Sequence, residues 1–181
     1  MGEGQDYRIP RAKNHIRPPD ERTDEPTPKP RLRHLQETGH PLFLTFRTKG
    51  LLLSPAARRC VVAAARYYDG DRYDLYEVVC MPDHVHLVLK PMQDPCGSEV
   101  PLARIVHGIK SYTAHRINDL MRRRGPVWQR GYYDRIVRTE RDFWEKLRYV
   151  VENPLRAGLV TDTEEYEFAW NRWYDGRKDE L

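Results

Sequence analysis

Residues 83–90 (Asp-His-Val-His-Leu-Val-Leu-Lys) form a polar-apolar pattern of period two that predicts a β-strand with a buried face. On that strand His84 and His86 stand side by side, while Val85 and Leu87 point the other way into a core. Residues 41–47 and 73–80 read as two further strands. Only Met81-Pro82-Asp83 connects 73–80 to the histidine strand, so those two are expected to form an antiparallel pair. Ser54 followed by Pro55 is an N-cap with proline at the first helical position; it predicts a helix through Tyr67 that ends near Asp69-Gly70. A longer helix is predicted over 102–124. Leu102, Ile105, Ile109 and Tyr112 form its apolar stripe, extended by Ile117, Leu120 and Met121, with Arg104, His107, Ser111, His115 and Arg122 on the other side. Residues 127–138 predict a fourth strand. Thr139-Glu140-Arg141-Asp142 resembles a capping box and opens a helix to about Asn153, where Pro154 ends or redirects the chain. The order β-α-β-β-α-β with a further helix specifies an α+β class: a ferredoxin-like, split βαβ antiparallel sheet with helices on one face.

Residues 1–37 break this pattern. They hold six prolines (Pro10, Pro18, Pro19, Pro26, Pro28, Pro30), charges of both signs and few core formers, which predicts an extended or disordered arm. The folded unit is expected over 38–174, followed by a short tail, 175–181. That tail ends in Lys-Asp-Glu-Leu, an endoplasmic-reticulum address that has meaning only in a protein entering that compartment; with no signal-peptide core at the N-terminus it reads as coincidence.

The 181 residues carry a net charge of +4, 32% charged residues and 39% hydrophobic ones, enough apolar residues for one core beneath a large solvated surface. This basic balance permits a nucleic-acid partner without requiring one. Cys60, Cys80 and Cys96 match neither a disulfide framework nor a zinc pattern, so a reducing, cytoplasmic setting is the expectation. No apolar run approaches the roughly 20 residues of a membrane span.

Two imidazoles on one strand face can hold a metal, and the final helix supplies a possible counterpart. With about 100° per residue, Phe143, Leu147, Val150 and Val151 cluster within a sector of about 120°, and Tyr149 lies about 200° from Leu147. Asn153 follows one turn later on the Tyr149 side. Alone, Tyr149 is compatible with an ordinary surface residue. A phenol has a pKa of about 10 and is inert at neutral pH without help. A divalent cation on the histidine face can give that help by polarising a phosphodiester, with the Asn153 amide oxygen as a third ligand. Such a ligand set suits Mg²⁺ or Mn²⁺ better than a closed structural zinc site.

His84-Val85-His86 after Met81-Pro82-Asp83 resembles the histidine–hydrophobe–histidine (HUH) motif of the single-tyrosine transposases. Residues 128–135 (WQRGYYDR) and 149–160 (YVVENPLRAGLV) resemble signatures of their REP-associated branch, with Ile109-Lys110-Ser111-Tyr112-Thr113 and Ile117-Asn118 matching the helix between. The resemblance covers about residues 38–174. It implies His84, His86 and Asn153 as metal ligands and Tyr149 as nucleophile. It also implies cleavage of single-stranded DNA near a hairpin, through a 5′-phosphotyrosine with a free 3′-OH. Rejoining is by the reverse attack, without a nucleotide cofactor. Insertion-sequence relatives act as dimers that exchange the tyrosine helix, whereas the REP-associated branch implies a monomer. The N-terminal arm has no counterpart in this pattern.

Tyr112, on the apolar stripe, is expected to pack; Tyr132 and Tyr133, on opposite strand faces, suit base stacking or core filling. Candidate DNA contacts are Arg104, His107, Lys110 and His115 on the long helix, the run Arg122–Arg124, and Arg130, Tyr132, Tyr133, Arg135 and Arg138 around the fourth strand. Two rival readings stay open: a hairpin-binding module without chemistry, and an unrelated metallohydrolase. The second would need further acidic or histidine ligands, for which Asp83 and Glu77 are the near candidates.

Overall fold

The computed structural model describes residues 39–173. Both the expected arm (1–37) and tail (175–181) lie outside them. Five strands and three α-helices follow in the order β1 (Leu42–Arg47), α1 (Pro55–Arg66), β2 (Tyr73–Cys80), β3 (His84–Pro91), α2 (Leu102–Leu120), β4 (Tyr133–Ile136), α3 (Glu140–Arg156) and β5 (Ala169–Asn171). They form one antiparallel sheet of order β4-β1-β3-β2-β5. Its first four strands have the ferredoxin-like arrangement expected from the alternation of elements.

Register assigns each face. Phe43, Thr45 and Arg47 stand opposite Val88, His86 and His84, and Leu42, Leu44 and Phe46 stand opposite Leu89, Leu87 and Val85. Because neighbours along a strand alternate sides, the first set shares one face and the second set the other. Helices α1 and α2 cover the second face: the Tyr73 hydroxyl donates to the Ala65 carbonyl, and Trp128 packs edge-on against Phe46 while donating to Thr113. Helix α3 lies on the first face, with Phe143 against Tyr76 and Tyr149 against Phe43. Helices therefore cover both faces rather than one, because the last helix returns across the side left open by the two crossovers.

The predicted caps form. Ser54 Oγ accepts from the Ala57 amide and Thr139 Oγ1 from the Asp142 amide, each satisfying a donor that a helix start leaves open. Three boundaries differ from expectation. Helix α2 stops at Leu120 because Arg122 turns into the left-handed region (φ 49°) and Asn118 ties down the following turn through the Gly125 carbonyl. Of the expected fourth strand, residues 133–136 form the continuous ladder, and upstream of it Trp128 makes a single antiparallel bridge to Thr48. Between the two, Gly131 has φ 75°, and Lys110 takes the Gln129 and Gly131 carbonyls that a ladder would use. Helix α3 runs one turn beyond Asn153 with Pro154 inside it, and Ala157, Gly158 and Leu159 amides close its end.

Candidate active site

The imidazole pair stands on the central strand β3, 4.7 Å between ring centroids and nearly perpendicular. His84 Nδ1 lies 2.6 Å from Asp83 Oδ1, and His86 Nδ1 lies 2.8 Å from Thr45 Oγ1. A carboxylate can only accept, so His84 donates from Nδ1, which in a neutral ring leaves Nε2 as the nitrogen with the lone pair. Thr45 can accept from Nδ1–H of His86 in the same way, and His86 Nε2 is buried without a hydrogen-bond partner among the described residues. An orphaned buried nitrogen costs about 1–3 kcal/mol unless something binds it. Burial first, then the neighbouring His84 and Arg47, push the His86 pKa down to about 3, so its imidazole is neutral near pH 7. Burial alone would raise Asp83, yet its bond to His84 and the nearby Arg47 hold the carboxyl below its usual range. Two neutral-capable imidazoles, each held from behind at Nδ1, fit a divalent cation.

Helix α3 brings the phenol. Leu147 and Val150 are buried and anchor the helix; burying such side chains stabilises by roughly 1.5–3 kcal/mol each. Asp142, Lys146, Tyr149 and Asn153 recur along one flank of this anchor. The Tyr149 ring sits 5.5 Å from His86 and 5.9 Å from Phe43, with 38% of the residue exposed. Tyr149 is thus off the buried stripe, as its angular position predicts, yet over the histidine face. Asn153 is partly buried one turn further on, and the Arg156 guanidinium lies 5.5 Å from the Tyr149 ring centroid.

Among the described residues no group of three His, Cys, Asp or Glu side chains is placed to hold a metal. Any third protein ligand would therefore be of another type, such as the side-chain amide of Asn153, one turn beyond Tyr149 on α3. The metallohydrolase reading loses its acidic candidates here. Asp83 is committed to His84 and Arg47, and Glu77 is fully buried against Asn171.

The predicted DNA contacts divide by position. Tyr133 pairs with Thr45 and Arg135 with Phe43, on the imidazole face; the Tyr133 ring is 6.2 Å from Phe43 and about half exposed. Arg135 bonds Asp142 of α3 at 3.3 Å. Arg130 and Arg138 are exposed on either side of β4. Tyr132 is partly buried, and burial with Asp134 nearby pushes its phenol up to about 12. Arg104, His107 and His115 lie on the solvent side of α2, across the sheet from the imidazoles. Tyr112, expected to pack, is 57% exposed, because Thr113 takes the buried place. The ammonium of Lys110 donates to the Gln129 and Gly131 carbonyls at 2.8 and 2.7 Å, and burial lowers its pKa. Lys110→Met is expected to cost about 2 kcal/mol of stability, read as a lower urea midpoint, since charge-assisted bonds of this kind contribute that much.

Sequence reasoning missed Thr45, Phe43, Arg47 and Arg156. The first three become visible only through the β1–β3 register, and Arg156 only once α3 passes Pro154.

This antiparallel sheet with its three helices is a transposase fold. A solved REP-associated tyrosine transposase bound to a REP hairpin superposes with a TM-score of 0.64 at 19% identity, over 78% of this chain and 82% of that one. The sequence model described as transposase IS200 like matches residues 40–153, and the chain belongs to that family. A Haemophilus influenzae protein described as a REP-associated tyrosine transposase is 22% identical over 105 residues, 54% of this chain and 58% of that protein. The chain thus spans little more than half of that relative. A Deinococcus radiodurans protein described as a transposase gives a TM-score of 0.42 at 19% identity, over 65% of this chain and 95% of that one. No helix among the described residues is long and apolar enough to cross a membrane.

Proposed function

We propose that this protein cuts and rejoins single-stranded DNA beside hairpins of the REP type, with Tyr149 as nucleophile. The observation that carries the reading is the placement of the Tyr149 ring 5.5 Å from that of His86, itself 4.7 Å from His84. His84, His86 and Asn153 would hold Mg²⁺ or Mn²⁺, which when bound polarises a phosphodiester and screens its charge. Tyr149 Oη attacks phosphorus as the 3′-oxygen leaves, so one P–O bond forms while one breaks. The phosphotyrosine retains the bond energy, and the reverse attack by a 3′-OH reseals a strand without a nucleotide cofactor. The exposed edge of Tyr149 gives its proton a route to water. Asp83 and Thr45 keep the imidazoles oriented. Tyr133 and Arg135, on the same face, supply a stacking ring and a cation beside the path of the strand.

The hairpin partner is carried by the relative whose structure holds one. Labelled hairpin DNA, incubated with the protein and Mg²⁺ or Mn²⁺, is expected to give a covalent adduct resistant to denaturation. In the same assay His84→Ala is expected to lower adduct formation at least on the order of tenfold, as loss of a ligand or its support does. Tight binding with no adduct from the wild type would favour the non-catalytic hairpin-binding reading.

A further inference from the structure

Next to Asp83, which precedes His84 in the chain, lies an open groove of about 320 Å³, within the range of small-ligand sites, lined by Arg47, Leu51, Leu52, Asp83 and Gln129 among others. It shares a wall with the site: one Asp83 oxygen holds His84 Nδ1, and the other pairs with Arg47 at 3.4 Å. We infer that this groove is a subsite for one unpaired nucleotide of the DNA strand next to the bond that Tyr149 attacks. The inference rests on the strand-cutting reading above.

Three features support it. First, the walls are tied in place. The Thr48 amide donates to the Asp83 carbonyl, Lys49 to Val127, and Leu53 to Pro82, all at 2.7–2.8 Å. Gln129 clasps the same strand end, its amide on the Arg47 carbonyl and its side chain on the Thr48 carbonyl. A cavity bounded this way is formed before a ligand arrives, which reduces the ordering that binding must impose.

Second, the lining is apolar where a base face would lie and polar at its edges. Leu52 is 71% exposed on this braced loop, an apolar side chain with no cover. Gly50 leaves open space beside it, at φ 72°. Arg47 has one side-chain partner among the described residues, a long contact to Asp83, so most of its donors are available. Gln129 spends its side-chain nitrogen on Thr48 and keeps Oε1 as an acceptor. An unpaired base offers a flat face for the leucines, and exocyclic and ring atoms for the amide and guanidinium, whose phosphate-binding capacity also suits the adjoining backbone.

Third, the groove adjoins the imidazole face through Arg47 and Asp83. Arg47 is the cross-strand partner of His84, so any group bound by Arg47 lies beside the imidazole face. A nucleotide seated here would fix which phosphate reaches Tyr149, making Arg47 and Leu52 specificity-determining residues.

The test uses the full chain and a hairpin oligonucleotide selected for binding from a pool with randomised loops and single-stranded flanks. Each flanking base is replaced in turn by an abasic sugar, and affinity is read by fluorescence anisotropy. In the wild type, one flank position is expected to lose about tenfold in affinity. In Leu52→Ser and in Arg47→Gln that penalty should shrink to near unity while penalties elsewhere persist. Penalties that are uniform along the flank, or unchanged in both variants, would overturn the subsite while leaving the hairpin reading intact. A wild type that selects no hairpin would reject that reading and the subsite with it. Leu52 is exposed, so its variant tests the groove even where Arg47→Gln disturbs Asp83.

Discussion

Tyr149→Phe is expected to abolish the covalent DNA adduct, a fall of at least on the order of 10³-fold, with hairpin binding unchanged within about twofold. The substitution removes one oxygen and nothing else. The ring keeps its contacts with Phe43 and His86, at 5.9 and 5.5 Å, and α3 keeps its buried anchors Leu147 and Val150. Binding therefore reports that the variant is folded, while the adduct reports the nucleophile. The discrimination matters because Tyr133 stands on the same face, 6.2 Å from Phe43, and is about half exposed. Adduct formation that survives Tyr149→Phe and disappears in Tyr133→Phe would move the nucleophile to β4. Tyr112 is no competitor, since it lies on α2 across the sheet. Cleavage that survives with no adduct at all would point to a water nucleophile and return the hydrolase reading.

The core of this site was legible in local pattern. Period-two alternation around His84 and His86 depends only on strand geometry, and the caps at Ser54 and Thr139 depend on side chains three residues from their targets. The angular offset of Tyr149 from Leu147 also follows from helix geometry alone. What failed was decided by contacts distant in sequence. Residues 127–132 look like continuous strand; Trp128 does bridge Thr48, but Lys110 from α2 captures the Gln129 and Gly131 carbonyls and interrupts the ladder there. Tyr112 looked packed because Thr113 reads as polar. In the fold the Thr113 hydroxyl satisfies itself on the Ile109 carbonyl, accepts the Trp128 indole, and takes the buried position. Strand β5 is three residues long, too short for a period, and exists through its pairing with β2. Thr45 and Arg47 acquire meaning only opposite His86 and His84.

The same sheet face contains a group that this chemistry does not use, and it gives the largest expected effect on stability. Glu77 on β2 is 1% exposed, stands opposite Val88 and Asn171, and accepts from the Asn171 side chain. Burial raises its pKa well above the usual carboxylate range, and the Asn171 bond opposes this only in part. The folded protein therefore keeps a proton that the unfolded chain releases above a pKa of about 4.3. Between those two values the native state binds more protons, so stability falls as pH rises, by at most about 1.4 kcal/mol per pH unit for one group. Below the unfolded pKa the group is protonated in both states and its contribution is fully present. Glu77→Gln stays neutral at every pH and retains an oxygen for Asn171. It is expected to be more stable than the wild type at pH 7–8, by about 1–3 kcal/mol, the common cost of a polar group poorly served in a core. The difference should narrow toward pH 4. Paired urea melts across that range measure it. A wild-type stability that rises through the interval, with the variant parallel to it, would show that Glu77 is ionised in the fold and that Asn171 suffices to hold its charge.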